Sequence, residues 1–177
     1  MRCRWWIAFI LWAVAIAPAR TAGGSAPAKS APACDRRECR QFDFWLGDWD
    51  VYGPDGKTVV GRSHVEGILD GCVLLENWYG AKGGTGKSFN TWTRSDSLWH
   101  QSWVSNSGNL LLLQGSFRNG AMVLEGDSPP GTRNRITWTP RPGGEVEQRW
   151  STSADGGASW TTSFLGIYRR QAAAGAR

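Results

Sequence analysis

The chain has 177 residues, of which 41% are hydrophobic and 20% are charged, and its formal net charge is +5. This is the composition of one ordinary globular domain, which excludes an intrinsically disordered chain and a large multidomain enzyme. The 12 tryptophans and 23 glycines stand out. Glycines that separate short apolar segments are typical of an all-β protein.

Residues 1–19 have the pattern of a secretory signal peptide. A basic start is followed by an apolar run of 13 residues from Trp5 to Ala17, and Ala17-Pro18-Ala19 supplies the small residues of a cleavage site. The run is too short for a stable transmembrane helix, which needs about 20 residues. We therefore predict a periplasmic or secreted protein with no stable membrane span after cleavage near Arg20. An uncleaved anchor is the alternative.

Loss of residues 1–19 removes two arginines and no acidic residue, which lowers the net charge from +5 to +3. The remaining basic residues are scattered singly along the predicted strands, apart from Arg36-Arg37 and Arg169-Arg170. A polyanion would therefore find few clustered contacts. We predict that the protein does not bind nucleic acid.

The mature chain divides into three parts by composition. Residues 20–40 are predicted to be a flexible linker because they are rich in Ala and Pro and poor in large apolar groups. Residues 41–170 are sufficient for one hydrophobic core. Residues 171–177 are Ala-rich and are predicted to form a disordered tail.

Three cysteines, Cys34, Cys39 and Cys72, remain after signal cleavage. An exported protein is in a compartment that permits disulfides, so one bridge and one free thiol are expected. Cys34 could pair locally with Cys39, or one of the two could pair with Cys72. The spacing does not match a zinc module, and the chain has only two histidines, so no metal site is predicted.

The core segment alternates apolar and polar residues with a period of two, which predicts β-strands. Turn residues such as Asn119-Gly120 separate these segments and indicate antiparallel hairpins. Such a meander closes into a barrel or splits into a sandwich. Phe42, Trp45 and Leu46 predict a helical turn that plugs one end. The predicted strands are Asp48–Gly53, Thr58–Ile68, Cys72–Tyr79, Lys87–Thr93, Leu98–Val104, Leu110–Phe117, Met122–Glu125, Arg133–Thr139, Val146–Thr152 and Trp160–Tyr168.

Two short motifs are interpreted as turns. Residues 81–88 match the loose phosphate-loop pattern, but a strand rather than a helix follows them, so we expect a glycine-rich hairpin. Residues 153–160 resemble the Asp-box, in which the side chain of an aspartate, here Asp155, closes a hairpin turn. Neither motif predicts a catalytic site.

Polar residues occupy the same strand faces as tryptophans, which predicts a polar and aromatic interior. Glu76, for example, lies between Leu74 and Trp78 in the alternation. A small barrel either fills its interior with side chains or holds one small ligand there. The candidate ligand-binding residues are Glu76, Trp78, Asn90, Trp99, Gln101, Trp103, Arg135, Gln148 and Trp150.

Glu76 has three possible roles at this stage. It pairs with Arg135 in a structural network, or it orients a small amphipathic molecule stacked on tryptophan, or it is the catalytic acid or base of an isomerase or hydrolase. Burial between Leu74 and Trp78 would raise its pKa unless Arg135 offset that effect. No catalytic residue other than this candidate, and no cofactor, is predicted.

Five segments carry a resemblance to a known family. The opening from Phe42 to Val51, with Gly47-Asp48-Trp49 as a G-x-W motif, looks like the start of calycin barrels. The whole set is similar to a family of small secreted bacterial proteins of unknown function that is grouped with the lipocalin-like barrels, and the similarity covers residues 40–170. The remaining segments are Leu69-Asp70-Gly71-Cys72, Leu75-Glu76-Asn77-Trp78, Trp99-His100-Gln101 and Phe164-Leu165-Gly166-Ile167-Tyr168.

The resemblance implies a single antiparallel up-and-down β-barrel of about ten strands with a short N-terminal helical turn. It also places a cysteine at position 34, which implies a Cys34–Cys72 disulfide, and it implies that Arg169 or Arg170 packs on Trp49. We thus predict an exported lipocalin-like protein that binds a small, partly apolar ligand in a Trp-lined barrel. An enzyme that uses Glu76, and a structural or protein-binding module of the cell envelope, are the alternatives.

Overall fold

A computed structural model describes residues 34–127 and 129–172. They form a closed barrel of ten antiparallel strands in which each strand pairs with its neighbours in sequence and the first pairs with the last. The predicted all-β, up-and-down barrel is confirmed. The strands are β1 (Gly47–Tyr52), β2 (Val59–Ile68), β3 (Val73–Gly80), β4 (Thr85–Thr93), β5 (Leu98–Ser105), β6 (Leu110–Arg118), β7 (Ala121–Asp127), β8 (Arg133–Pro140), β9 (Val146–Ser153) and β10 (Thr161–Arg170).

Several predicted segments lie outside the described residues. These are the signal peptide (1–19), the linker up to residue 33 and the tail from residue 173. The end of the predicted linker is described and contains a 3-10 turn over Arg37–Arg40.

The local sequence explains why the strands alternate in direction. Asn119 and Gly120, between β6 and β7, both have positive φ angles, of 52° and 79°. A two-residue hairpin turn of this type needs positive φ at both central residues, and Asn-Gly provides it at little cost. Residues 81–88 likewise form a hairpin that leads into β4, as predicted.

The Asp-box is a turn as well. Asp155 accepts hydrogen bonds from the Ser159 backbone amide at 2.9 Å and from the hydroxyls of Ser153 and Ser159 at 2.7 and 2.6 Å. These donors hold the pKa of the Asp155 carboxyl far below its usual range. The motif therefore closes the β9–β10 hairpin.

An aromatic cluster closes the barrel end at which β1 begins. A second 3-10 turn, Asp43–Trp45, places Phe42 and Trp45 there. The Phe42 ring stacks on Trp45 at 5.0 Å and meets Trp138 and Trp99 edge-on at 5.1 and 5.6 Å. All four side chains are buried. The helical turn is thus confirmed, and we call these four residues the plug.

The disulfide joins Cys34 to Cys72, whereas Cys39 is a buried free thiol. The pairing implied by the family resemblance is confirmed. The two cysteines are separated by 38 positions, and closing a loop of that length contributes about 4 kcal/mol in the chain-entropy model. The bond therefore ties the start of the described chain to the β2–β3 turn.

Arg170 covers the buried Trp49 ring, as the resemblance implies. The centre of its guanidinium group lies 4.4 Å from the ring centroid, and its Nη1 atom donates a hydrogen bond of 2.9 Å to the Leu46 carbonyl. Arg169 instead lies over Tyr52, at 4.6 Å. Arg170 therefore joins the last strand to the chain segment that enters the first.

We expect Arg170→Ala to lower the free energy of unfolding by about 1–2 kcal/mol, because it removes a cation–π contact and a charged hydrogen bond together. Arg94→Ala removes the same charge from an exposed loop and is the matched control. Urea unfolding measures both. An equal effect of the two substitutions would show that the contact with Trp49 does not stabilise the barrel.

Candidate functional site

A cavity lies at the barrel end opposite the plug. Because the strands alternate in direction, the β1–β2, β3–β4, β5–β6 and β9–β10 turns gather at this end. The cavity has a volume of about 270 Å³. A cavity of about 150 Å³ holds benzene, so this one has room for roughly ten non-hydrogen atoms. It is lined by Glu76, Trp78, Gln101, Trp103, Leu111, Ile136, Gln148, Trp150, Ser163, Phe164 and Tyr168.

Glycines on neighbouring strands make room for two of the indole rings. A Cβ atom at Gly61 would lie 2.4 Å from the Trp78 ring, and one at Gly86 would lie 2.8 Å from the Trp103 ring. Both distances are shorter than any normal contact. Glycine at these two positions therefore lets the indoles lie flat against the barrel wall and leaves the space in front of them open.

The aromatic side chains form two edge-to-face pairs. Trp78 meets Phe164 at 5.9 Å with an interplanar angle of 83°, and Trp103 meets Trp150 at 6.4 Å with an angle of 65°. The Trp150 indole N–H donates a hydrogen bond of 2.9 Å to Asn134. Rings held in this way present both faces and edges to the cavity.

Among the described residues that line the cavity, Glu76 is the only charged one. Its side chain is 4% exposed and accepts one hydrogen bond on each carboxylate oxygen, from Ser63 at 3.1 Å and from Ser88 at 3.0 Å. Burial raises the pKa of the Glu76 carboxyl to about 7, although the hydrogen bonds from Ser88 and Ser63 oppose this effect. The group therefore changes charge near neutral pH.

A chain of side-chain amides orients the Ser88 hydroxyl. Gln101 donates to Asn90 at 2.7 Å, and Asn90 donates to Ser88 at 3.0 Å and to the Leu74 carbonyl at 3.1 Å. Since Ser88 donates to Glu76, every step of the chain runs towards the carboxylate. The network thus favours Glu76 as the terminal acceptor.

Tyr168 faces the same cavity from β10. Its hydroxyl donates a hydrogen bond to Gln148. Burial, and secondarily the nearby Glu76 carboxylate, raises the pKa of Tyr168 well above its usual 10. The phenol therefore stays neutral and serves as a donor that fixes the Gln148 amide.

Eight of the nine candidate ligand-binding residues face the barrel interior, and six of these eight line the cavity. Of the other two, Asn90 lies behind the cavity as part of the amide chain and Trp99 belongs to the plug. The six are Glu76, Trp78, Gln101, Trp103, Gln148 and Trp150.

The proposed Glu76–Arg135 pair does not form. On β8, Asn134, Ile136 and Trp138 are buried, so Arg135 points to the outer surface. There its Nε atom donates to Glu125 at 2.7 Å, and its guanidinium group lies 3.9 Å from the Trp160 ring centroid. Arg135 is therefore not part of the cavity, and the structural role of Glu76 as its partner is wrong.

Some lining residues were not among the predicted candidates. The same holds for Ser63, which does not line the cavity but donates a hydrogen bond to Glu76 from the inner face of β2, a face that the alternation of that strand already indicates. Tyr168 and Phe164 are on the last strand, and no pattern in the sequence indicates that they lie near Glu76. Their proximity arises from barrel closure.

A groove adjoins the cavity. β1 pairs with β10 only from Trp49↔Arg170 to Tyr52↔Ile167, so the first half of β10 extends past the end of β1. A groove of about 710 Å³ lies between this part of β10 and the β1–β2 turn. Trp78, Ser163 and Phe164 line both the groove and the cavity. The Trp78–Phe164 pair therefore separates the cavity from the groove.

The fold and the site together define an up-and-down β-barrel that is plugged at one end and has an aromatic cavity at the other. Neither a protein-family model nor a curated protein sequence matches this chain. The similarity to the secreted lipocalin-like family thus remains a resemblance of short segments, while its implication for the fold is confirmed.

None of the helices in the described part of the chain is long and apolar enough to cross a membrane. Within residues 34–127 and 129–172, no three His, Cys, Asp or Glu side chains are grouped closely enough to hold a metal ion.

Proposed function

We propose that this protein binds one small, partly apolar molecule in the cavity lined by Glu76 and that it acts outside the cytoplasm. The observation that carries the proposal is the cavity itself, which combines about 270 Å³ of space with indole walls and a buried carboxylate. A barrel interior that served only as a core would be filled with side chains. This space is left open by glycines beneath the rings.

The lining of the cavity is typical of a small-molecule site. In such sites apolar walls supply most of the affinity, and a few polar groups fix the orientation of the ligand. Trp78, Trp103 and Trp150 supply stacking surface. Glu76 and Gln148 supply polar groups at defined positions, because each is held by hydrogen bonds from neighbouring strands.

The disulfide supports an extracytoplasmic location. Disulfides persist in oxidising compartments and are rare in the cytosol. The Cys34–Cys72 bond agrees with the signal-peptide pattern of residues 1–19. Periplasmic or secreted localisation is therefore part of the proposal.

A second candidate function is proton transfer by Glu76. A general acid or base works best when its pKa is close to the working pH, and the pKa of Glu76 is about 7. In an isomerase or hydrolase of this kind, Glu76→Gln would abolish turnover of a molecule that still binds. Binding without any chemical change of the bound molecule would favour the first proposal.

We expect Leu111→Phe to abolish binding of 2-phenylethanol, a neutral probe of nine non-hydrogen atoms that the wild-type cavity has the volume to hold. Leu111 is buried and lines the cavity, so a larger ring at this position fills the space. Leu112→Phe, at the next position on the outer face and 53% exposed, is the matched control and should leave binding unchanged. Isothermal titration calorimetry measures the affinity.

Thermal melts of both variants show whether they are folded. If Leu111→Phe does not fold, Ile136→Phe fills the same cavity from β8. Binding that persists in folded cavity-filling variants, or no binding of any probe to the wild-type chain, would contradict the proposed function.

A further inference from the structure

We propose that the molecule held in this cavity is a small organic cation, such as a protonated amine attached to an apolar group, and that it forms an ion pair with Glu76. This inference rests on the proposed function and adds the charge of the ligand to it. It follows from the charges, the hydrogen-bond capacity and the aromatic walls of the cavity.

When Glu76 is ionised, the cavity contains a negative charge, and none of the described lining residues carries a positive one. Glu76 is buried, and its hydrogen-bond partners in the described part of the chain are the neutral hydroxyls of Ser63 and Ser88. Arg135, which charge complementarity in the sequence suggested as the partner of Glu76, lies on the outer surface and donates a hydrogen bond to Glu125. Removing an ionised carboxylate from water costs several kcal/mol unless a partner compensates, and the described residues offer no cationic partner.

The carboxylate also has unused hydrogen-bond capacity. Each of its two oxygens has two acceptor positions, and each receives one protein donor, Ser63 on Oε1 and Ser88 on Oε2. An ammonium group has three N–H donors and can use the remaining positions. The ionised carboxylate would repel an anion at the same place.

The aromatic walls of the cavity also favour a cationic ligand. The face of an aromatic ring carries a negative potential, and cations bind over tryptophan faces most strongly when water is excluded. Trp78, Trp103 and Trp150 line the cavity together with Phe164 and Tyr168. Several rings around one buried carboxylate form the kind of aromatic cage that recognises organic ammonium groups.

Three probes of similar size separate the possibilities: phenethylamine, which is a cation near neutral pH, 2-phenylethanol, which is neutral, and phenylacetate, which is an anion. We expect the full-length protein to bind phenethylamine at least about tenfold more tightly than 2-phenylethanol. A desolvated cation–π contact and a charged hydrogen bond each contribute enough binding free energy for a difference of this size. Phenylacetate should not bind. The calorimetric titrations are made at mildly alkaline pH, clearly above the Glu76 pKa of about 7, so that the carboxyl is ionised.

Glu76→Gln should reduce the preference for the amine over the alcohol to less than about twofold, because it removes the charge and keeps the shape. Glu66→Gln is the control, since Glu66 is an exposed glutamate on the outer face of β2 and its loss changes the net charge equally. This control should keep the full preference.

The binding results test the charge of the ligand and the proposed cavity function separately. If 2-phenylethanol binds as tightly as phenethylamine, the cation inference is overturned and the proposed cavity function stands. A preference for the amine that survives Glu76→Gln overturns the assignment to this carboxylate. If neither the amine nor the alcohol binds, the proposed function fails as well.

Discussion

Phe42→Ala is expected to lower the free energy of unfolding by about 3–5 kcal/mol, the largest effect of any single substitution considered for this protein. Phe42 is fully buried at the centre of the plug, and its ring contacts Trp45, Trp99 and Trp138. Three large indoles cannot collapse into the space of a missing ring without leaving their packed positions. The cost therefore includes the lost burial of the ring and the cavity that remains.

Phe89→Ala is the matched control because Phe89 lies on the outer face of β4 and is 51% exposed. Its removal should cost less than about 1 kcal/mol. Urea unfolding followed by tryptophan fluorescence measures both variants. A loss for Phe42→Ala no larger than that for Phe89→Ala would show that the plug does not stabilise the barrel.

The second large effect is a dependence of stability on pH that Glu76→Gln should remove. The pKa of Glu76 is about 7 in the folded protein and has its ordinary value of 4.5 in the unfolded chain, so the folded state binds the proton more tightly. The stabilising contribution of protonated Glu76 is fully present below pH 4.5 and is lost as the pH rises through about 7. A pKa difference of one corresponds to 1.36 kcal/mol, so the free energy of unfolding falls by about 3 kcal/mol over this pH range.

Glutamine does not titrate, so the variant should not lose this stability as the pH rises. The difference in free energy of unfolding between variant and wild type should therefore shift by about 3 kcal/mol in favour of the variant from acidic to mildly alkaline pH. Among the described lining residues, the other titratable group is Tyr168, whose pKa is raised and which stays neutral throughout. All groups outside position 76 are the same in the two proteins, so their contributions cancel in the comparison. Thermal and urea unfolding across this pH range measure the difference.

Glu66→Gln is again the control, and its stability curve should run parallel to that of the wild type. Parallel curves for Glu76→Gln would show that Glu76 is not buried as described. A variant that instead loses stability at alkaline pH would indicate that a cation is left unpaired beside position 76.

The fold was largely predictable because a strand exposes its two faces to different surroundings. Alternate residues of β3 and β5 face the interior, and the pattern of Leu74, Glu76 and Trp78 shows which ones. Turn residues such as Asn119-Gly120 mark the hairpins for the same local reason. These features depend on residues close together in the chain, so the sequence displays them directly.

The error at Arg135 shows the limit of reasoning from charge. The alternation of Asn134, Ile136 and Trp138 on β8 already places Arg135 on the outer face. The expected pairing with Glu76 followed charge complementarity instead. The partner of Arg135 is Glu125, its direct neighbour across the β7–β8 ladder. Strand alternation is therefore the stronger constraint, because a side chain cannot cross the sheet.

The sequence by itself determined the strands, their inward faces, the aromatic plug and the unusual carboxylate among tryptophans. Only the tertiary structure decided that Tyr168 and Phe164 lie beside Glu76 and that a cavity remains between these side chains. The physical reason is that barrel closure brings residues far apart in sequence into contact. Whether their side chains fill the interior or leave a cavity depends on packing across the barrel, which no local pattern encodes.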